Sequence, residues 1–175
     1  RPDPIDRSHV LADLMAGFRY VRDTPGIVSC CAAIAAIAGL ASPLFSFLPA
    51  SYGQDVFNVA DWRLGLLQGG GGIGAILLAP LILTVGARLS RKRLLVIAMA
   101  SHGLATAAVG VAPNWWIAVV ALAVYGGAYL AIASALNTTI QLLARESMRG
   151  KAVAIFVMCL TGALPLGLMA WGWAA

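Results

Sequence analysis

The sequence is poor in charge. Asp, Glu, Lys and Arg make up 11% of its 175 residues while 61% are hydrophobic, against roughly 25% charged residues in a typical globular domain. A soluble domain of this length could not hide so much apolar surface, so a lipid bilayer is the solvent that fits. Metal-ligand spacing is also missing. There is no C-x-x-C pair and no His cluster, so no metal site and no cofactor is expected. Cys30, Cys31 and Cys159 all sit in apolar runs and read as small buried hydrophobes. No secretory signal with a cleavage site is visible. The chain starts at Arg1 and stops at "WGWAA" inside an apolar run, which reads as a piece of a longer protein.

What is present is five long apolar runs, Ile27–Leu48, Leu64–Val85, Leu94–Ala112, Trp115–Leu136 and Ala152–Ala175, none holding Asp, Glu, Lys or Arg. A helix of about 20 apolar residues crosses a bilayer core. The expected fold is therefore an all-α membrane protein, a polytopic bundle of five transmembrane helices behind a lead-in over residues 1–26. Lys and Arg alternate between the segments. Four precede the first run (Arg1, Arg7, Arg19, Arg22), Arg63 follows it, four stand in the next loop (Arg88, Arg91, Lys92, Arg93), none in the third, and three in the fourth (Arg145, Arg149, Lys151). Basic loops stay in the cytoplasm, so the N-terminus is expected inside. The net charge of +5 follows from these loops, and nucleic acid is not an expected partner. The lead-in "SHVLADLMAGFRYVRDTPG" repeats Val10, Leu14 and Phe18 on one helical face, broadened by Leu11. Two placements fit it: flat on the cytoplasmic membrane surface, or packed on protein as a linker helix.

"LLQGGGGIGAILLAP" holds Gly69, Gly71 and Gly74 at G-x-G-x-x-G spacing. A dinucleotide fingerprint needs a preceding strand, an amphipathic helix and an acid about 20 residues on. Here the following run has no polar face, and "SRKR" stands where the acid belongs. The same glycines form a G-x-x-x-G pair, Gly70 and Gly74, repeated by Gly71 with Ala75. Small side chains let membrane helices approach closely. The run is therefore expected to be a helix–helix seam, with Gln68 beside it facing a polar interior and Pro80 kinking the span.

"LNTTIQLLARESMRGKAVAIFVMCLTGALPLG" resembles the major facilitator superfamily, and specifically its enterobactin-exporter-like efflux branch. The matching positions are Asn137, Thr138, Gln141, Glu146, Arg149, Gly150, Pro165, Leu166 and Gly167. "LADLMAGFRYVRDTP" and "LGLLQGGGGIGAILLAP" are similar to the lead into that family's seventh helix and to its eighth. The resemblance implies that the five spans are helices seven to eleven of twelve in a bacterial inner membrane, with the N-terminal half of the same protein as their partner. The family's basic loop motif between helices eight and nine is matched by Arg88, Arg91, Lys92 and Arg93. Ala87 and Ser90 stand where its Asp and second Gly would be, which weakens any charge-relay role for the loop. The implied function is secondary active transport by alternating access. The implied substrate is a small amphipathic molecule such as a drug or siderophore, exported as an antiporter on the proton gradient.

Candidate substrate-path residues follow. Ser134, Asn137, Thr138 and Gln141 fall within a 100° arc of one helix, with Tyr125 and Tyr129 higher up on a face that drifts towards it. Lining of a central cavity and interhelical hydrogen bonding both fit this stripe. Ser42 and Ser46 lie in the first span beside Pro43 and Pro49, and fit a bending element or a static kink. His102 is the one titratable side chain well inside a span; a neutral imidazole bonded to a neighbouring carbonyl is the simpler expectation than a functional role. The residues alone also admit a sugar or metabolite transporter, or a non-transporting membrane scaffold. A membrane enzyme would need a catalytic pair, and the spans offer one His and no acid.

Overall fold

The computed structural model describes residues 7–41, 45–46, 52–59, 61–86 and 88–174. Ser42, Pro43, Pro49, Ala87 and Ala175 lie outside the described residues, and in the lead-in stripe the side chains are described from Leu14 onwards. Among the described residues there are helices and no strands. They are α1 (Arg7–Arg22), α2 (Pro25–Ala36), α3 (Asp61–Gly86), α4 (Arg91–Gly110), α5 (Trp115–Leu143) and α6 (Arg149–Ala174), with π-helical turns at Ile37–Ala41 and Tyr52–Val56. The spans containing α3, α4, α5 and α6 are each long and apolar enough to cross a membrane. This is a multi-pass membrane protein.

Local chemistry sets the helix ends. Pro25 occupies the first turn of α2, where its missing N–H costs nothing, and it cannot continue α1. The Thr24 hydroxyl donates to the Tyr20 carbonyl at 2.9 Å, closing the last turn of α1. The α1 and α2 segments meet at 102°. Ser90 caps α4 by accepting from the Arg93 N–H at 3.4 Å, and Asn114 caps α5 by accepting from the Ile117 N–H at 3.0 Å. Asn58 adopts φ 50°, a left-handed conformation that Asn tolerates better than most residues. The described α3 continues through Pro80. The Thr84 hydroxyl donates to the Pro80 carbonyl at 2.8 Å.

The outer surface is apolar. Ile76 is 75% exposed, Leu83 72%, Leu104 73% and Met169 74%. A water-soluble protein avoids so continuous an apolar surface, whereas hydrocarbon tails solvate it.

The chain divides into two compact units, one of residues 1–39 and 136–175 and one of residues 40–135. In the first, α1 and α2 pack on α6. Gly17 of α1 lets Lys151 and Ile155 come close, with Ile155 Cδ1 3.2 Å from where a Cβ would stand. The Tyr20 hydroxyl accepts from the Arg145 N–H at 3.0 Å, which joins two of the basic segments. Further along, the backbones of Gly39 and Gly167 touch, so Gly167 of the Pro-Leu-Gly motif serves packing.

In the second unit, α3 crosses α5 on glycine. A methyl on Gly74 would overlap the Ala123 carbonyl, and one on Gly126 would overlap the Gly71 carbonyl. Gly70 faces Leu122, whose Cβ lies 3.2 Å from the position of an added Cβ. Val59, Leu67, Val109, Ala118, Ala121 and Leu122 form a buried cluster nearby. At the start of α3 and α5, Trp62 meets Trp115 edge-on at 5.8 Å, Trp115 stacks on Trp116 at 3.9 Å, and the Arg63 guanidinium lies 5.6 Å from the Trp62 and Trp115 ring centres. Such aromatic clusters sit at membrane–water interfaces.

Candidate functional site

The long helix α5 has two faces. One is buried and carries Leu122, Tyr125, Ala128, Ile132, Leu136 and Ile140. The opposite face is exposed. Its first half is apolar, with Trp116, Val120, Val124 and Leu130, and its second half carries Ser134, Thr138 and Gln141. Asn137 stands at the edge of this stripe, half-buried, and its side-chain oxygen accepts from Gln141 Nε2 at 3.2 Å. One turn of helix separates the two, so each amide satisfies part of the other's hydrogen bonding without help from another helix.

Tyr125 is not on that stripe. Nine residues of helix before Ser134 place it about 180° away, inside the second unit. There it stacks on Phe45 at 5.0 Å with the rings 2° from parallel. His102 of α4 lies 4.3 Å from the Tyr125 ring and 6.2 Å from that of Tyr129. Phe45, Tyr125, His102 and Tyr129 thus form one aromatic column, and Phe45 also fills the space above Gly71. His102 is 6% exposed; its ring lies tilted against the two tyrosine rings, and the Tyr125 backbone is a hydrogen-bonding neighbour of the imidazole.

The other candidates are scattered. Gln68 is exposed on α3, on a face with Gly65 and Gly72, neither of which has an atom within 4 Å of an added Cβ. The glycine run therefore has two sides. Gly70, Gly71 and Gly74 are buried at the crossing, with Ala75 half-buried at its edge, while the Gln68 side is open. Ser46 is exposed, and Ser42 is outside the described residues. Arg88, Arg91, Lys92, Arg93, Glu146, Arg149 and Gly150 are all exposed. Ser90, which stands where the family's loop has Gly, is a helix cap.

Two features go beyond what the sequence suggested. Gly126 and Gly127 are the partners of the glycine run, Gly127 making room for Leu78. Ala123, Gly127, Ala131 and Ala135 recur every fourth residue, a small-residue pattern that marks the helix able to receive α3. Phe45 is the second, since one aromatic in an apolar run carries no periodic signal.

Comparison with known proteins places this geometry. The profile of the transmembrane secretion effector family, a family of major facilitator proteins, matches residues 1–175. The chain belongs to the transmembrane secretion effector family. Among the family's curated relatives, it is 28% identical over 165 residues to the multidrug efflux pump Tap of Mycolicibacterium fortuitum. The match covers 93% of this chain and 39% of that protein, so the chain spans about two fifths of its relative's length. No solved structure matches.

Proposed function

We propose that this chain is part of a secondary active exporter of small amphipathic molecules, working by alternating access and driven by the proton gradient. In this reading it supplies helices seven to eleven of twelve, is of the enterobactin-exporter-like branch, and has its N-terminus in the cytoplasm. The observation that carries the proposal is the exposure of Ser134, Thr138 and Gln141 along one side of a membrane-crossing helix. Hydroxyl and amide groups are costly against hydrocarbon, so such a stripe belongs against other protein or a water-filled path. Its partner face is assigned to the N-terminal half, and the space between to substrate. Neutral amides and hydroxyls suit an amphipathic ligand, because they offer both donors and acceptors without the cost of a charge in the bilayer. The similarity to a multidrug efflux pump supports the direction and substrate class.

The test is export of a fluorescent amphipathic cation such as ethidium from cells producing the full-length protein, with rate divided by the amount of folded protein. Thr138→Val and Gln141→Leu are expected to lower the normalised rate several-fold while protein level holds, because both side chains are exposed and neither supports the buried core. Normalised rates equal to wild type in both variants refute the path. A fall in folded protein with unchanged normalised rate assigns the stripe to bundle assembly instead.

A further inference from the structure

The first unit holds an apolar groove of about 580 Å³, within the range of small-ligand sites. Its floor is made by small side chains, Cys31, Ala32 and Ala35 of α2 with Cys159 of α6. The Cys31 thiol is in contact with that of Cys159 across the two helices. Its wall is α1, whose Met15, Phe18, Arg19 and Arg22 share one helical face and line the groove. That face is open, with Met15 65% and Phe18 46% exposed. Gly17 and Val21, on its other side, are buried, Val21 also bordering the groove. The apolar stripe of α1 is therefore not what holds it to the protein.

Three observations together say what covers the stripe. First, α1 meets α2 at 102°, the kind of turn by which a helix lying along a membrane surface passes into one that enters it. Secondly, the groove is amphipathic along its length. It is apolar beside Met15 and along the alanines, and cationic at Arg19 and Arg22. Thirdly, Arg19 and Arg22 both line the groove at its mouth; Arg22 Nε lies 3.7 Å from Asp23 Oδ1 with both side chains widely exposed, so the two guanidinium groups are presented to whatever enters. Guanidinium groups bind phosphate by paired hydrogen bonds, whereas they repel an amphipathic cation.

We propose that this groove binds an anionic phospholipid, with one acyl chain on the alanine floor between α2 and α6 and the headgroup phosphate on Arg19 and Arg22. The site is separate from the exposed stripe of α5 and does not depend on what the protein exports. It holds α1 to the membrane by a bound lipid, where Gly17 and Val21 hold it to the protein.

Native mass spectrometry of the full-length protein, titrated with phosphatidylglycerol or phosphatidylcholine of identical chains, tests the proposal. One site with a preference for phosphatidylglycerol is expected. Each arginine contributes roughly fivefold, as basic side chains near an anionic surface do. Arg19→Gln with Arg22→Gln should abolish the preference, and because both side chains are exposed the variant should keep the wild-type melting profile. Ala32→Trp, which fills an exposed part of the floor, should remove tight binding of both lipids. Equal affinity for the two lipids in wild type overturns the proposal. So does a preference that survives the loss of both arginines. Tight binding that survives Ala32→Trp, or displacement by millimolar inorganic phosphate, shows recognition of a free anion and overturns it equally.

Discussion

Gly74→Ala is the smallest perturbation with the largest expected effect. One methyl group is added, in a helix where Ala is intrinsically favoured over Gly by about 1 kcal/mol. At Gly74 that methyl would coincide with the carbonyl of Ala123 in the crossing helix. A backbone carbonyl cannot rotate away as a side chain can, so α3 and α5 must part. A separation of 0.5–1 Å already forfeits about a quarter to a half of each dispersion contact along the seam, and lipid supplies no hydrophobic force to close the gap. Overpacking of this kind costs about 3 kcal/mol at the upper end of the usual range, leaving a net loss of about 2 kcal/mol. Gly72, two residues away, has no atom within 4 Å of an added Cβ, so Gly72→Ala should be neutral or gain up to about 1 kcal/mol. Unfolding of the full-length protein by SDS in mixed micelles measures both. The two alanine variants should differ by about 3 kcal/mol. Equal stability would mean that the crossing is looser than these backbones place it, and the seam argument fails. An added methyl is thus accommodated on the open side of the run and not at the crossing.

Two further outcomes are expected. In intact cells, with the native cysteines of the full-length protein replaced by alanine, a cysteine at exposed Gln54 should react with an impermeant thiol reagent and one at exposed Ser147 should not; the reverse pattern would overturn the orientation read from the basic loops. His102→Leu should destabilise by about 1 kcal/mol, the net worth of one neutral hydrogen bond, since the Tyr125 backbone is a hydrogen-bonding neighbour of the imidazole; a loss of several kcal/mol would reveal a further polar partner.

Much of the all-helical membrane class was legible because apolar runs of span length, separated by short basic loops, rarely arise in proteins that fold in water. The glycine run was legible as a seam for a similar reason, since no polar face follows it. What one helix cannot reveal is its partner. Nothing in "QGGGGIGA" says that Gly126 lies opposite, because pairing depends on helices separated by some fifty residues of sequence. The lead-in shows a second limit. Leu14 and Phe18 are the obvious apolar face of α1, yet Gly17 and Val21 make the protein contact. In a membrane protein the most hydrophobic stripe is offered to lipid and the smallest to a neighbouring helix, the inverse of the soluble rule. Tyr125 failed to join the polar stripe for a geometric reason. Helical phase accumulates over the nine residues to Ser134, so a face that drifts towards the stripe further along starts on the buried side.

The hydrogen bond from Arg145 to the Tyr20 hydroxyl spans 125 residues. Ribosomes add about 5–20 residues per second, so on the order of 10 s separates the emergence of its two ends. The unit of residues 40–135 is continuous in sequence, whereas the unit built on α1, α2 and α6 joins segments from either side of it. During synthesis the inner unit has all its parts first, and α2 waits in the bilayer with Gly39 and its small-residue floor uncovered. The first unit therefore closes only once α6 is made, and the interval before α6 arrives is when an insertion factor or a stray helix has most opportunity to occupy that place.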